Sequence, residues 1–122
     1  MRKVIEGSVD LDGLNLTELF DLSDVEVTDW FACGNNNLTS LKGCPHTVGG
    51  GFHCHNNNLS SLVGAPSAVG GGFDCGENPL NSLEGIPKII GYGFYISAAL
   101  KDKFSEKYIR SLSDIQGTIH FI

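Results

Sequence analysis

Apolar and polar positions along this chain recur at one fixed interval. Phe31, Phe52, Phe73 and Phe94 stand 21 apart, and Cys33, Cys54 and Cys75 follow at the same spacing, with Ile96 in the fourth place. The rest of the unit keeps step: Asn36, Asn57 and Asn78; Leu38, Leu59 and Leu80; Leu41, Leu62 and Leu83; Gly43, Gly64 and Gly85; Pro45, Pro66 and Pro87; Val48, Val69 and Ile90. Self-similarity at a fixed period marks a stacked repeat protein, in which each unit buries its apolar side against its neighbours. Within a unit, Phe52 and Cys54 alternate with His53 and His55, the pattern of a strand with one buried face. Asn57 follows where the chain must turn out of the strand, and its amide can satisfy backbone groups there. Stacked in register, Asn36, Asn57 and Asn78 are expected to form a ladder. Leu59 and Leu62 then turn inward, Gly64 and Pro66 bend the chain, and Val69 re-enters the core. The glycines at 70–72 lead back to the next strand. Gly and Pro at these places exclude a regular helix, so the convex side is expected to hold turns and extended pieces.

Weaker echoes flank the regular units. Val9, Leu11, Leu16 and Leu19 precede Phe31, Cys33, Leu38 and Leu41 at a constant spacing, one longer than the regular period. A divergent first unit is therefore expected from near Val4. It lacks the Asn-rich turn and the proline. Downstream, Ala99 stands where the next ladder Asn would fall. Residues 97–112 instead carry Leu100, Phe104, Tyr108 and Leu112 at spacing four, one apolar helical stripe, with Ser97 as candidate N-cap. Glu106 and Arg110 can pair across one turn. A solenoid needs its ends covered, so this helix reads as a C-terminal cap, and residues 118–122 as a last strand beside the Phe94 strand. The whole chain, 1–122, is expected to be one domain: 1–30 a divergent acidic first repeat, 31–96 the regular repeats, 97–122 the C-terminal cap helix and strand.

The run Phe52, Cys54, Asn57, Leu59 resembles the second half of the leucine-rich repeat signature, L-x-L-x-x-N-x-L. That resemblance implies a leucine-rich-repeat solenoid with a parallel sheet on one face. The full unit from Phe31 to Gly50, with its copies, resembles the short Asn- and Gly-rich repeats encoded by tailed bacteriophages. It is more distantly similar to the repeats of secreted bacterial effectors, which carry export signals and, in some, a ligase domain. Neither feature is expected in this chain. The resemblance implies a protein-binding module, and a phage origin would make the partner a host or defence protein in the host cytoplasm.

Composition narrows the compartment and the partner. The chain is 41% hydrophobic with mean hydropathy near zero, and no apolar run reaches membrane-spanning length. No basic segment followed by an apolar core is present, so no signal peptide is expected. Cys33, Cys54 and Cys75 occupy an inward strand position held by Leu in other repeats, which favours a reduced core stack over disulfides. Cys44, just before Pro45, is expected on the convex side. No close pair of the C-x-x-C kind supports zinc. Reduced thiols without an export signal point to the cytoplasm. Net charge is −6, and all of it lies in the first thirty residues, where eight acids face two bases; six of each follow. Direct binding of nucleic acid needs a basic surface and is therefore disfavoured.

The outward strand positions are expected to align in columns: Ala32, His53, Asp74, Tyr95; then Gly34, His55, Gly76, Ser97; and, before the phenylalanines, Trp30, Gly51, Gly72, Gly93. Asn35, Asn56 and Glu77 line the turn. Two aromatics and several polar protrusions on a flat face suit a protein interface. The partner-binding residues expected from the sequence are Trp30, His53, His55, Asp74, Glu77 and Tyr95. The alternative contact is an acidic patch of Asp21, Asp24, Glu26 and Asp29, either for a basic partner or as a nucleic-acid mimic that blocks a basic protein. A third reading centres a small metal-binding or hydrolytic protein on His53, His55 and Asp74. Small neighbours at Ala32, Gly34 and Gly76 offer no pocket, and no nucleophile shares the face. The sequence is therefore read as a non-catalytic binder without metal or cofactor.

Overall fold

The computed structural model describes residues 3–122. It is a parallel solenoid of six coils, each contributing one short strand to each of two sheets. The coils are β1 (Lys3–Ile5) and β2 (Val9–Asp10); β3 (Val25–Val27) and β4 (Phe31–Ala32); β5 (Thr47–Val48) and β6 (Phe52–His53); β7 (Ala68–Val69) and β8 (Phe73–Asp74); β9 (Ile89–Ile90) and β10 (Phe94–Ile96); β11 (Asp114–Ile115) and β12 (Ile119–Phe121). Odd-numbered strands form the first sheet and even-numbered strands the second, each in coil order. The expected strand sheet is the second one. The extended pieces expected on the convex side pair with one another and make a further sheet, joining Val27, Val48, Val69 and Ile90 in register.

The core is built of columns. Phe31, Phe52, Phe73 and Phe94 are fully buried, and their rings stack at centroid separations of 5.6, 5.0 and 5.8 Å. The ladder forms as the spacing predicts. Asn57 Nδ2 donates to the carbonyls of Cys33 and Cys54, and its Oδ1 accepts from the Leu38 N–H. Asn78 makes the equivalent bonds to Cys54, Cys75 and Leu59. Each amide thus stitches its own turn to the coil before it. The corner glycines are needed for a steric reason. A Cβ at Gly49, Gly70 or Gly91 would fall 2.3, 2.2 or 2.0 Å from a backbone oxygen of the preceding coil. Gly43, Gly64 and Gly85 stand at φ +98, +98 and +90°, where a side chain is strained.

Two expectations are corrected. Residues 97–112 do not form one helix. They hold a 3₁₀ turn at Ala98–Leu100 and a separate helix α1, Glu106–Leu112, whose N-cap is Ser105, with Oγ accepting from the Tyr108 N–H at 3.1 Å. Ser97 makes no side-chain cap bond; its Oγ accepts from the Glu77 N–H instead. The spacing-of-four stripe therefore crosses a break. Phe104 and Ile109 are buried, whereas Tyr108 and Leu112 are exposed. Phe104 lies one full period after Leu83, so this segment fills the arc of the last coil. Arg110 ties it down, pairing with Glu106 at 3.3 Å and donating to the Ile115 and Gly117 carbonyls. Beyond it, β12 pairs parallel to β10, beside the Phe94 strand.

The second correction is Cys44: its place on the convex arc does not leave the thiol accessible, because the residue is buried. Burial pushes its thiol well above the ordinary value, and a hydrogen bond with Cys33 adds to the rise. All four cysteines are unpaired and buried. The first coil lacks the Asn-rich turn, as expected: register places Gly13, at φ +66°, where Asn35, Asn56 and Glu77 stand in later coils, and Asn15 at φ +58° falls two residues further on.

Candidate functional site

The outer face of the second sheet gathers most of the residues singled out in the sequence. Parallel register places Ala32, His53, Asp74 and Tyr95 in one column, as expected, and extends it to Asp10 at one end and His120 at the other. Asp12, two residues beyond Asp10, accepts from the Gly34 N–H at 2.7 Å and so flanks the same face. Asp10, Asp12 and His120 were missed because the outer coils are longer than the regular period, with Asp10 paired to Ala32 and Tyr95 to His120. The lengthened step from Val9 to Phe31 was itself a signal for the two aspartates.

The column is locally ordered. Tyr95 stacks on His120 at 4.7 Å with rings 8° from parallel, and the Thr118 hydroxyl meets His120 Nε2. His53 and His55 meet edge to face at 6.5 Å. His55 lies over Gly34, where a Cβ would come within 2.7 Å of its ring. Asp74 is oriented by the Gly76 N–H, which donates to Oδ1 at 2.9 Å, while Oδ2 lies 3.8 Å from His55 Nδ1. Asn35 Nδ2 sits 3.4 Å from His55 Nε2, and Asn35 Oδ1 accepts from Asn56 Nδ2 at 2.8 Å.

Beside this column runs an open trough floored by the corner glycines at 49–51 and 70–72 and by Gly93. Tyr92, 70% exposed, stands at its rim with Tyr95 and His120. Trp30 borders a smaller hollow with Asp10, Asp12, His53 and His55. Glu77 occupies the exposed left-handed turn position after β8. No lysine or arginine occurs in the outward strand columns of this face, whereas three aspartates do.

The alternative acidic residues lie elsewhere in the first coils. Asp21 accepts from both the hydroxyl and the N–H of Ser23, which hold its carboxyl below the ordinary value. Asp24 pairs with Lys3 at 3.6 Å across the entry to the first sheet. Glu26 lies in β3 of that sheet, and Asp29 in the corner before β4. These four are distributed along the coil from one sheet toward the other.

The thiols stand on the opposite side of the same strands. Cys54 Sγ donates to the Asp74 carbonyl at 3.4 Å and Cys75 Sγ to the Tyr95 carbonyl at 3.3 Å. Burial pushes both thiols up, which leaves them protonated and poor nucleophiles. No helix among the described residues is long and apolar enough to cross a membrane. No protein-family model matches this chain, and neither the curated proteins nor the solved structures provide a match.

Proposed function

We propose that this chain is a non-catalytic binding module that docks a protein partner on the outer face of its second sheet. The observation that supports this best is the make-up of that face. Trp30, Tyr92 and Tyr95 offer aromatic anchors, Asp10, Asp12 and Asp74 supply negative charge without a balancing cation, and a glycine trough admits a close-approaching backbone. Aromatic side chains ordered by stacking lose little entropy on binding and are frequent hot spots. A partner presenting a basic loop fits this chemistry. The resemblance to phage repeats adds the setting: a small product that occupies and inhibits a host or defence protein.

Capture from a host lysate with immobilised protein tests the reading. The wild type and an Asp21→Lys/Asp24→Lys variant should retain the same protein. Tyr95→Ala and Asp10→Lys should each weaken its binding by at least ~1 kcal/mol without changing the melting temperature. Added salt should weaken wild-type binding, because the carboxylates are exposed. Loss of binding only in the Asp21/Asp24 variant would overturn the proposal in favour of the acidic mimic.

A further inference from the structure

His53, His55 and Asp74 come from two neighbouring coils and one side of the sheet. His53 is the register partner of Asp74, and His55 follows His53 by two residues. Each offers a donor atom, and the three atoms lie within 4.8 Å of one another. Among the described residues this is the sole cluster of three such side chains.

His55 Nδ1 carries the decisive observation. It is shielded from solvent and makes no hydrogen bond. The Asp74 Oδ2 that faces it at 3.8 Å is too distant for a good one. A buried ring nitrogen left unmatched is costly, and such an atom calls for a partner. A zinc-sized ion bonded tetrahedrally to both atoms at about 2.0–2.1 Å holds them roughly 3.4 Å apart, so the 3.8 Å gap needs a side-chain shift of only about 0.4 Å to seat one. The surroundings are already arranged. Gly76 fixes the Asp74 carboxylate through Oδ1, leaving Oδ2 for a ligand. Gly34 leaves room for the His55 ring, which any larger residue would displace. The outward columns bring no lysine or arginine to compete for the carboxylate.

We propose that His53, His55 and Asp74 bind one divalent transition-metal ion on the outer face of the second sheet. Two imidazoles and a carboxylate select zinc, cobalt or nickel over calcium and magnesium, which prefer all-oxygen shells. Three protein donors on an open face leave coordination positions for water. Metal and protons compete for the imidazoles, so affinity falls as pH is lowered. The site shares Asp74 with the proposed docking face, and its test reads the metal alone, without a protein partner.

Calorimetric titration of the chelator-treated full chain with zinc tests this. One equivalent should bind, and the melting temperature should rise. His53→Ala, His55→Ala and Asp74→Asn should each lower affinity more than about tenfold. His46→Ala and His120→Ala, the two remaining histidines, should leave it unchanged. Cobalt should give a visible spectrum without the thiolate charge-transfer band that cysteine ligation would produce. Melting of each variant without metal shows that it is folded. A folded Gly34→Ala variant, with all donors intact, should also bind more weakly. Absence of zinc binding to the wild type at millimolar concentration would overturn the proposal. So would equal affinity in the three donor variants, or equal loss in the His46 and His120 controls.

Discussion

Within each strand of the second sheet, inward and outward side chains follow opposite rules. Inward stand four phenylalanines with near-parallel stacked rings and the cysteines after them. Outward stand Ala32, His53, Asp74 and Tyr95, each different. An inward side chain meets its own copy above and below, so the shape that suits one coil suits the next. An outward one meets unlike neighbours and, Ala32 apart, stays partly exposed, so it is free to vary. Adjacent asparagines show the same contrast in a single turn. Asn57 is buried and bonds to two coils, whereas Asn56 is exposed and holds a left-handed turn. Repetition in this chain therefore reports the fold, and departures from it report where chemistry can reside.

The hardest test of that division is a pair of substitutions one residue apart. Phe52→Ala removes a fully buried ring from the middle of the stack and should cost about 3–5 kcal/mol in chemical denaturation. His53→Ala, pointing outward, should stay within about 0.5 kcal/mol. Comparable losses would show that the outer column also holds the fold together. The asparagines give the next largest contrast. Asn57→Ala strands buried carbonyls of two coils and the Leu38 N–H, and should cost about 2–3 kcal/mol. Asn56→Ala should cost about 1 kcal/mol, from the left-handed backbone at φ +55°, and Asn56→Gly should restore most of it. Equal melting of Asn56→Ala and Asn56→Gly would remove the conformational explanation.

How far the sequence disclosed this structure depends on the same division. The period of 21 revealed the Phe, Cys, Asn and Leu columns because each repeats in an unchanged environment. The first sheet was legible only as extended pieces, since each regular repeat marks it with a single inward apolar residue, Val48, Val69 or Ile90, and no second one two residues away. The burial of Cys44 is legible in its column rather than in its place before Pro45. Its own column is Cys44, Ala65, Ile86, apolar throughout and packed on the core. The break at Ser105 escaped because the helical spacing of the apolar residues carried across it. On the outer face, the nearness of His53 to Asp74 followed from register alone. The burial of His55 Nδ1 did not, because it depends on a ring packing over Gly34.

The thiols sharpen the comparison from the inside. All four are buried, and burial holds Cys44, Cys54 and Cys75 in the protonated form. Native protein should leave all four unlabelled by a thiol reagent until denaturant is added. Rapid labelling of Cys44 alone would return it to the surface. Cys54→Ala loses a small volume and a weak bond to the Asp74 carbonyl, and should cost about 1 kcal/mol.

The smallest expected effect is a gain, and it lies where the two rules meet. Asn35, Asn56 and Glu77 occupy the same turn position at φ +53, +55 and +54°. Asparagine tolerates this conformation because its short amide can bond locally; glutamate has no such compensation. Here the turn is secured in another way, by the Glu77 N–H donating to Ser97 Oγ at 2.6 Å. Glu77→Asn keeps that backbone bond and relieves the backbone cost, so it should stabilise by up to about 1 kcal/mol, read as a raised denaturation midpoint with unchanged slope. The same substitution removes one negative charge beside the proposed binding face. If Glu77 also serves the partner, the stabilised variant should bind it more weakly, which would mark the turn as a position where binding is retained at the expense of stability. Unchanged stability would mean that glutamate holds this conformation at no greater cost than asparagine. Unchanged affinity would confine the contact surface to the strand columns.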